Sequence, residues 1–524
     1  FYYLKDYLGE ELFDKCMQEY YAKWEFKHPQ PEDMRRSIEK TSGKDLSWLF
    51  DDLINTTKHV DFKLKRLKKV GEDQYRITVK NKGQVNGPVE VSGRSSNGNI
   101  VTTWLEPTTL KKDKTTISIK DPVEFKIDYG KDIPEINRQN NTAKAKGLFK
   151  KWEKPQFEFF IGDNEEDRSN IFWSPMIAGN VYDKTMLGVT FHNYAVPFNP
   201  LAFQITPLYS FGRQMVSGST DISYTFLPAR GLKTSRFGVS VKSFKNDSTF
   251  QRNESYYFAV QPFWYAKIGN RGDAKNYSQD IRLQSIYRQD VFGPFTSEHA
   301  GAYLEYNYYY DRPDHKVHFQ ARNEYYANIN NEDQFGRLFG STEYRYRYMK
   351  RNQKRWISLR LFAGQQYMRD FNPATGFQYS MSLSGTTGQQ DVFIDEYYLA
   401  RNEFSGFWSQ QRQENMGGFK SATYYGTTSI GMMAANFYMQ LPIPTGIFGV
   451  FADYGGFHDG TEIRTTFQTG LGIRLGEFVG FYFPLYMTQE LNDSFGSGAK
   501  YGEKIRVTLK LNLLNKPLHL SKLL

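Results

Sequence analysis

Cysteine is almost absent from this chain of 524 residues, in which Cys16 is the only one. A single cysteine excludes both an internal disulfide framework and a zinc site built from cysteines of this chain. Cys16 lies in a helical pattern and is expected to be a small buried hydrophobe. The chain also lacks a run of about 18 apolar residues, so a membrane interpretation has to rest on strands instead of helices.

A clustered basic stripe is missing as well. The net charge is +10, but Lys and Arg are interleaved with Asp and Glu along the whole chain. Nucleic-acid-binding domains concentrate their basic residues on one face, so the sequence argues against nucleic acid as a partner. Anionic lipid headgroups or lipopolysaccharide are the expected partners of the positive charge. The sequence begins at Phe1, with neither an initiator Met nor a signal region, so we expect it to start inside a longer protein.

Aromatic residues and glycine are abundant, with 37 Tyr, 42 Phe and 43 Gly. This composition suits the aromatic girdles and tight turns of an outer-membrane barrel, and it also suits a secreted aromatic-rich sandwich protein. Residues 505–513 alternate strictly, with Ile505 and Val507 on one face and Arg506 and Thr508 on the other. That period of two predicts a strand, and its repetition favours lipid on the apolar side and a wet lumen on the polar side.

From Phe157 onward about sixteen segments have this alternation, an even number as bacterial barrels require. The connections after the second, fourth, eighth, tenth, twelfth and fourteenth strands are tight, as in PFNP, PARG and RNQK, whereas the other set includes 163–184, 246–253, 369–427 and 488–503. Short periplasmic turns that alternate with longer outer loops are typical of a transmembrane barrel. The sequence therefore predicts that both termini lie in the periplasm.

The polar face of the predicted strands carries charges of both signs. Such ladders usually fill a barrel interior with ion pairs, and a selective anion pore is the alternative interpretation. The predicted lumen charges are Arg345, Arg347, Arg360, Arg474, Arg506, Lys510, Glu305 and Glu343.

The connection 369–427 is too long for a hairpin and is expected to be a folded element that caps or enters the barrel. Its FIDEYYLARNEFSGFWSQQR, with the later FADYGGF, GLGIRLG and FYFPLYM, resembles the barrel of the surface-antigen family, to which the outer-membrane insertase BamA belongs. The resemblance implies an Arg-Gly-aromatic motif in the loop that packs against an acidic strand residue, with Arg401 and Asp453 as candidates. Asn402 follows Arg401 where the family has Gly, which argues against insertase activity.

Residues 1–56 have the apolar spacing of helices. Their YLG, W-x-F-x-HP-x-PED and SGKDLSW-x-F elements resemble the helical end of the catalytic region in bacterial gluzincin zinc aminopeptidases, the membrane alanyl aminopeptidase family. Those enzymes bind zinc through H-E-x-x-H, and none of the eight His here begins that motif. The resemblance implies zinc upstream of Phe1, with no catalytic residue, metal ligand or cofactor site in this stretch.

The predicted fold is mainly β. An α-helical segment (1–56) and a small β-sandwich (57–135) precede a linker (136–155) and a transmembrane antiparallel β-barrel of about sixteen strands (156–524). The expected function is a metallopeptidase-like protein of the Gram-negative outer membrane, with the barrel as anchor and the peptidase-like region in the periplasm. The alternatives are a non-catalytic subunit of an outer-membrane protein assembly or transport complex, and a channel with a basic lumen.

Overall fold

The computed structural model describes residues 1–107, 112–147, 154–162, 168–195, 199–228, 230–247, 254–270, 275–349, 355–372, 376–443, 445–476 and 478–510. The chain divides into two compact units, one that begins at Phe1 and one that contains most of the barrel.

Three helices open the N-terminal unit, α1 (Tyr2–Leu8), α2 (Glu10–Trp24) and α3 (Pro31–Ser42), and a π-helical turn follows at Trp48–Ile54. Helix α3 starts at the predicted proline, because Gln30 and Asp33 cap each other's backbone groups and Pro31 needs no N–H partner in the first turn. It ends where Gly43 takes a left-handed conformation, with φ of 68°. Cys16 is buried against these helices.

Two small sheets complete this unit. One sheet pairs strands in the order β1-β2-β5 and the other in the order β4-β3-β6-β7. The strands are β1 (Phe62–Lys69), β2 (Gln74–Asn81), β3 (Val89–Ser95), β4 (Ile100–Leu105), β5 (Lys112–Ser118), β6 (Pro122–Ile127) and β7 (Thr142–Lys144). Helices and sheets share one apolar core, in which Leu4, Trp48, Ile77 and Phe125 are buried. Strand β7, which lies in the range 136–155, pairs with β6.

The remaining long strands form a closed barrel of seventeen strands among the described residues. They are β8 (Lys154–Phe159), β9 (Arg168–Asn180), β10 (Lys184–His192), β11 (Leu201–Ser210), β12 (Met215–Phe226), β13 (Leu232–Phe244), β14 (Ser255–Ile268), β15 (Tyr277–Phe292), β16 (Phe295–Asp311), β17 (His315–Asn328), β18 (Gln334–Met349), β19 (Arg355–Asp370), β22 (Gly431–Gln440), β23 (Phe448–His458), β24 (Ile463–Leu475), β25 (Val479–Met487) and β26 (Arg506–Leu509). The prediction of a mainly β chain with a large antiparallel barrel is confirmed. The predicted count is one strand short.

The missed strand is β9, which lies inside the predicted loop 163–184. Pro175 interrupts its alternating pattern and removes one ladder donor, and proline normally argues against a strand interior. Here Pro175 pairs opposite Val189 in an otherwise continuous ladder with β10. The turn 181–183 that follows is short, as are 293–294 and 459–462 at the same end. Loop lengths are therefore less segregated between the two ends than the sequence predicts.

Strands β9 to β26 pair in succession, and each described pair is antiparallel. Because the direction reverses at every step, the chain enters β9 and leaves β26 at the same end of the barrel. The short connections from β16 to β17, from β18 to β19 and from β24 to β25 begin and end at that end of the barrel, and the long connections from β19 to β22 and from β25 to β26 begin and end at the other.

Side chains alternate between the two sides of the barrel wall. On β19, Leu359 and Leu361 are 44% and 53% exposed, whereas the neighbouring Phe362 is buried. On β15 and β16, Leu283 and Leu304 face outward, and Gln284 and Tyr303 are buried inside. The barrel thus has an apolar outer surface and a polar interior, the reverse of a water-soluble protein.

No helix in the described part of the chain combines the length and the apolar character needed to cross a bilayer.

Candidate functional site

The candidate site is the barrel lumen together with the segment 371–430 that joins β19 to β22, here named the insert. The insert has little regular structure, with two-residue strands β20 (Met381–Ser382) and β21 (Thr427–Thr428) paired to each other. Most of its described side chains are nevertheless buried. The sequence predicts a folded element that caps or enters the barrel, and the insert contacts inward-facing residues of nine barrel strands.

The segment Val392–Asp395 of the insert is bound by polar side chains of neighbouring strands. Lys242 donates to the Ile394 carbonyl at 2.9 Å, and Arg288 donates to the Val392 carbonyl at 3.2 Å. The Asp395 carboxylate accepts from Gln284 at 2.8 Å and from Arg322 at 3.2 Å. Burial raises the pKa of Asp395, but the surrounding cations Arg322, Arg282 and Lys242 outweigh it and hold the pKa below its usual range.

Arg322 also joins the acidic residues of its own wall. It pairs with Glu324 at 2.5 Å and with the predicted lumen residue Glu305 at 3.4 Å. Glu324 pairs in turn with Arg337, and both side chains are almost fully buried. These contacts match the interpretation of the lumen charges as interior ion pairs.

Arg401 and Asp453, which the family resemblance predicts to be in contact, do not contact each other. Arg401 donates to the Asp391 carboxylate and to the Gly388 carbonyl, each at 3.0 Å, within the insert. Asp453 of β23 is fully buried and accepts hydrogen bonds from the Lys420 backbone N–H at 2.9 Å, the Asn436 amide at 2.9 Å and the Gln468 amide at 2.8 Å. The predicted pairing is wrong because Asp391, ten residues before Arg401, satisfies that guanidinium locally.

The insert residues that reach the Asp453 region are Met416–Lys420, which sequence reasoning missed. Arg360 donates to the Met416 carbonyl at 2.8 Å, Asn436 donates to the Gly417 carbonyl at 2.9 Å, and Arg506 donates to the Phe419 carbonyl. Gly418 has φ of 67°, a conformation that favours glycine. A glycine followed by an aromatic residue thus does approach the acidic strand residue, and the signal was the Gly-Gly-Phe run in the sequence.

Glu414 of the insert contacts two more of the predicted lumen charges, Arg474 and Lys510. Its carboxylate accepts from Arg474 at 2.8 Å and Lys510 at 3.4 Å, and from the Tyr482 hydroxyl. Burial alone raises the pKa of Glu414, but Arg474, Lys510 and further cations lower it well below the usual range. Glu414 therefore stays charged and neutralises part of a basic wall.

The remaining predicted lumen charges lie on β18. Arg345 pairs with Glu343 at 2.9 Å. The Arg347 guanidinium lies 5.0 Å from the centre of the Trp356 ring, a cation–π distance. These residues stand at the end of the barrel that carries the tight connections.

The insert also pairs with the backbone next to the last strand. The Arg412 N–H donates to the Val507 carbonyl at 2.9 Å, and the Ala422 N–H donates to the Lys504 carbonyl at 3.2 Å. These bonds form isolated bridges at Val507 and Ile505. The insert therefore also hydrogen-bonds to the backbone at and next to β26.

Among the residues that the structure describes, no three or more His, Cys, Asp or Glu side chains are grouped to hold a metal ion.

Comparison with known proteins yields structural similarity only. No protein-family model matches the chain, and no curated protein matches its sequence. The chain is similar to CdiB from Acinetobacter baumannii, with 11% identity and a TM-score of 0.29 over 61% of this chain and 56% of CdiB. It is also similar to BamA from Haemophilus ducreyi lacking POTRA domains 1–3, with 10% identity and a TM-score of 0.31 over 66% of this chain and 72% of that one. The chain thus spans little more than half of the CdiB structure.

Proposed function

We propose that this chain is an outer-membrane barrel whose own insert closes the lumen, and that it serves a protein assembly or transport complex as a non-catalytic subunit. The observation that carries the proposal is the contact set of the insert, which reaches inward-facing residues from Lys242 on β13 to Arg506 on β26. A diffusion channel needs an open path, whereas this lumen is filled by folded polypeptide. The proposal that the barrel wall faces lipid is supported by its apolar outer surface.

Conductance in planar bilayers tests the closed lumen. The wild-type chain is expected to be silent, and a variant in which 376–428 is replaced by a short Gly-Ser linker is expected to conduct, since β19 and β22 pair directly with each other. A heat-modifiable band on unboiled gels controls for folding of the variant. Stable anion-selective conductance of the wild type would instead support the basic channel.

The barrel end that carries the tight connections faces the periplasm in this proposal, so that the chain enters β9 and leaves β26 on that side. Its support is the common location of the β9 entrance and the β26 exit, opposite the insert. Single cysteines at Glu462→Cys and Arg312→Cys test it with a membrane-impermeant maleimide on intact cells, because Cys16 is buried and gives no background. Labelling at residue 462 alone is expected; labelling at residue 312 alone would reverse the orientation.

The subunit role is tested by purification from native membranes after mild crosslinking. Partner proteins that elute with the chain are expected, and a chain that runs alone at every crosslinker concentration would contradict the role. Contact with lipopolysaccharide belongs to the same proposal. It is tested by measuring whether lipopolysaccharide stays bound to the barrel through purification.

The link to zinc aminopeptidases stays a prediction. Reading the gene upstream of Phe1 tests it: an intact H-E-x-x-H motif would favour the metallopeptidase-like protein with the barrel as its anchor.

A further inference from the structure

The sheet β1-β2-β5 of the N-terminal unit has one face in the apolar core and one face in solvent. Phe62, Ile77 and Val79 lie on the inner face and are buried. The outer face contains three rows of residues that pair across all three strands: Lys63–Lys80–Lys112, Arg66–Thr78–Lys114 and Lys68–Arg76–Thr116. Seven of these nine positions are Lys or Arg and none is acidic, so strand pairing creates a basic face from charges that are interleaved along the chain.

Acidic residues of the unit do not neutralise this face. Within the part of the chain that the structure describes, none of the seven cations forms an ion pair. The acid on these strands, Asp113, lies in the inward-facing row with Leu64 and Val79. In the second sheet, by contrast, Arg94 pairs with Glu124 of the adjacent strand at 2.9 Å. The unpaired positive charge is therefore a property of one sheet face.

Like charges stand directly opposite each other on this face, as in the row of Lys63, Lys80 and Lys112. Such an arrangement destabilises a sheet. Lys65 occupies a bulge between Leu64 and Arg66. The neighbouring Lys112 ammonium lowers the pKa of Lys65, and burial and repulsion from Lys80 add to the effect. A lowered lysine pKa is the response to a positive local potential, which attracts anions.

The composition of the face favours a planar anionic surface over a nucleic acid. None of the nine positions is aromatic, so the face offers no side chain on which a base could stack. Five of the seven cations are lysines, which act as point charges and lack the bidentate geometry of arginine. The next step rests on the proposed function, in which the barrel wall faces lipid. Headgroups of that bilayer are then the anions at the highest local concentration.

We propose that the outer face of β1-β2-β5 docks on the anionic phospholipid headgroups of a bilayer, with its Lys and Arg side chains bound to headgroup phosphates. The contact is electrostatic, because the face carries no apolar side chain that could enter the hydrocarbon. It therefore weakens with salt, since the screening length falls from about 8 Å at physiological ionic strength to about 3 Å at 1 M. The lipid contact expected from the net charge thereby acquires a defined surface.

The test reconstitutes the full chain in nanodiscs and measures energy transfer from a fluorophore on Ser118→Cys to acceptor-labelled headgroups. Ser118 is exposed beside the basic face, and the buried Cys16 gives no background. Discs of phosphatidylcholine are compared with discs of phosphatidylcholine and phosphatidylglycerol in equal parts. Higher transfer with phosphatidylglycerol, lost at high salt, is expected. Equal transfer in both discs overturns the proposal, and binding of a labelled DNA duplex would then assign the face to nucleic acid.

Arg76→Gln combined with Lys80→Gln removes two cations from the face and leaves the buried side chains of β2 unchanged, so this double variant is expected to fold. Each Lys or Arg near an anionic surface raises the docked population about fivefold, so the ratio of docked to undocked chains is expected to fall about 25-fold. Lys15→Gln combined with Lys40→Gln, at exposed positions of α2 and α3, is the control with the same change in net charge and is expected to dock normally.

A heat-modifiable band shows for every variant that the barrel is folded in the disc. Unchanged energy transfer in the Arg76→Gln, Lys80→Gln variant with a folded barrel overturns the docking proposal alone. A wild-type chain without that band overturns the proposed function and the docking proposal with it.

Discussion

Asp453 shows how a single acidic residue organises the lumen. Three hydrogen-bond donors from the insert, β22 and β24 converge on its carboxylate, and the Lys420 ammonium lies 3.8 Å away. A buried charge is tolerated only when it is paired and hydrogen-bonded. The residue type was evident from the sequence, but its partners were not.

Replacement of Asp453 by Ala is expected to destabilise the barrel by about 3 kcal/mol, because it leaves Lys420 and two amides without their acceptor. The urea midpoint of the heat-modifiable form measures the loss. Asp493→Ala, which removes an exposed carboxylate from α4 (Gln489–Asp493), is the control and is expected to be neutral. Equal midpoints for the two variants would contradict the role of Asp453.

Glu135 gives a pH-dependent prediction in the N-terminal unit. One carboxylate oxygen accepts from the Phe62 N–H, and the other is inaccessible to solvent and has no described partner. Burial raises the pKa of Glu135 well above its usual range. The folded state therefore retains a proton that the unfolded state releases, and the free energy of unfolding falls as pH rises from the ordinary Glu pKa toward the raised one.

Glu135→Gln is expected to abolish this pH dependence and to stabilise the unit by about 1 kcal/mol at pH above that window. Hydrogen exchange of peptides from β1 and β6 in the full chain, at increasing urea and at two pH values, measures it. A variant whose midpoint falls with pH as strongly as that of the wild type would refute the assignment.

At the scale of elements, the insert is positioned by close backbone approach at Gly418. A Cβ there would lie 2.7 Å from the Asn436 Oδ1 and 2.9 Å from an Arg360 nitrogen. Gly406 lies in the same insert and also has a positive φ, 76°, but a Cβ would meet nothing within 4 Å. Gly406 combines its positive φ with ψ of −177°, so the two glycines are not matched in backbone strain, and only Gly418 is closely surrounded.

Gly418→Ala is expected to loosen the insert by about 1–2 kcal/mol relative to wild type, since an alanine there takes a positive φ and also displaces its neighbours. The rate of proteolytic cleavage within the insert, in the folded barrel, measures the difference. Equal cleavage rates would show that contact at Gly418 does not hold the insert.

At the scale of the whole molecule, the barrel carries apolar side chains on its outer surface and ion pairs in its interior. Leu361 stands near the middle of β19 and is 53% exposed on the outer surface. An arginine in the hydrocarbon region of a barrel costs about 2–4 kcal/mol, whereas in water the same change is nearly neutral.

Leu361→Arg is therefore expected to lower the free energy of unfolding of the barrel in lipid vesicles by that amount, which is measured through the shift of the urea midpoint. Ile100→Arg, at an exposed position of β4 in the N-terminal unit, is the control and is expected to have little effect. If Leu361→Arg is equally harmless in vesicles, the outer surface does not face lipid.

The sequence by itself determined the strands, their two faces and the presence of a long connection. Period-two alternation is a local property, and a strand such as β19 displays it in consecutive residues. Strand β9 was not predicted because it contains Pro175, and the alternation of apolar and polar residues does not indicate whether the sheet tolerates a missing hydrogen-bond donor. The lumen charges from Glu305 to Lys510 were also evident from the sequence, since the polar face of a strand whose other face is apolar lines the barrel interior.

Only the tertiary structure decided which charges meet. Arg401 is satisfied by Asp391 nearby in sequence, whereas Asp453 receives its donors from three separate segments. Likewise, Glu414, Tyr438 and Arg474 meet only after the barrel closes around the insert. Pairing between distant segments depends on register and on the path of an irregular insert, and neither leaves a periodic signal in the chain.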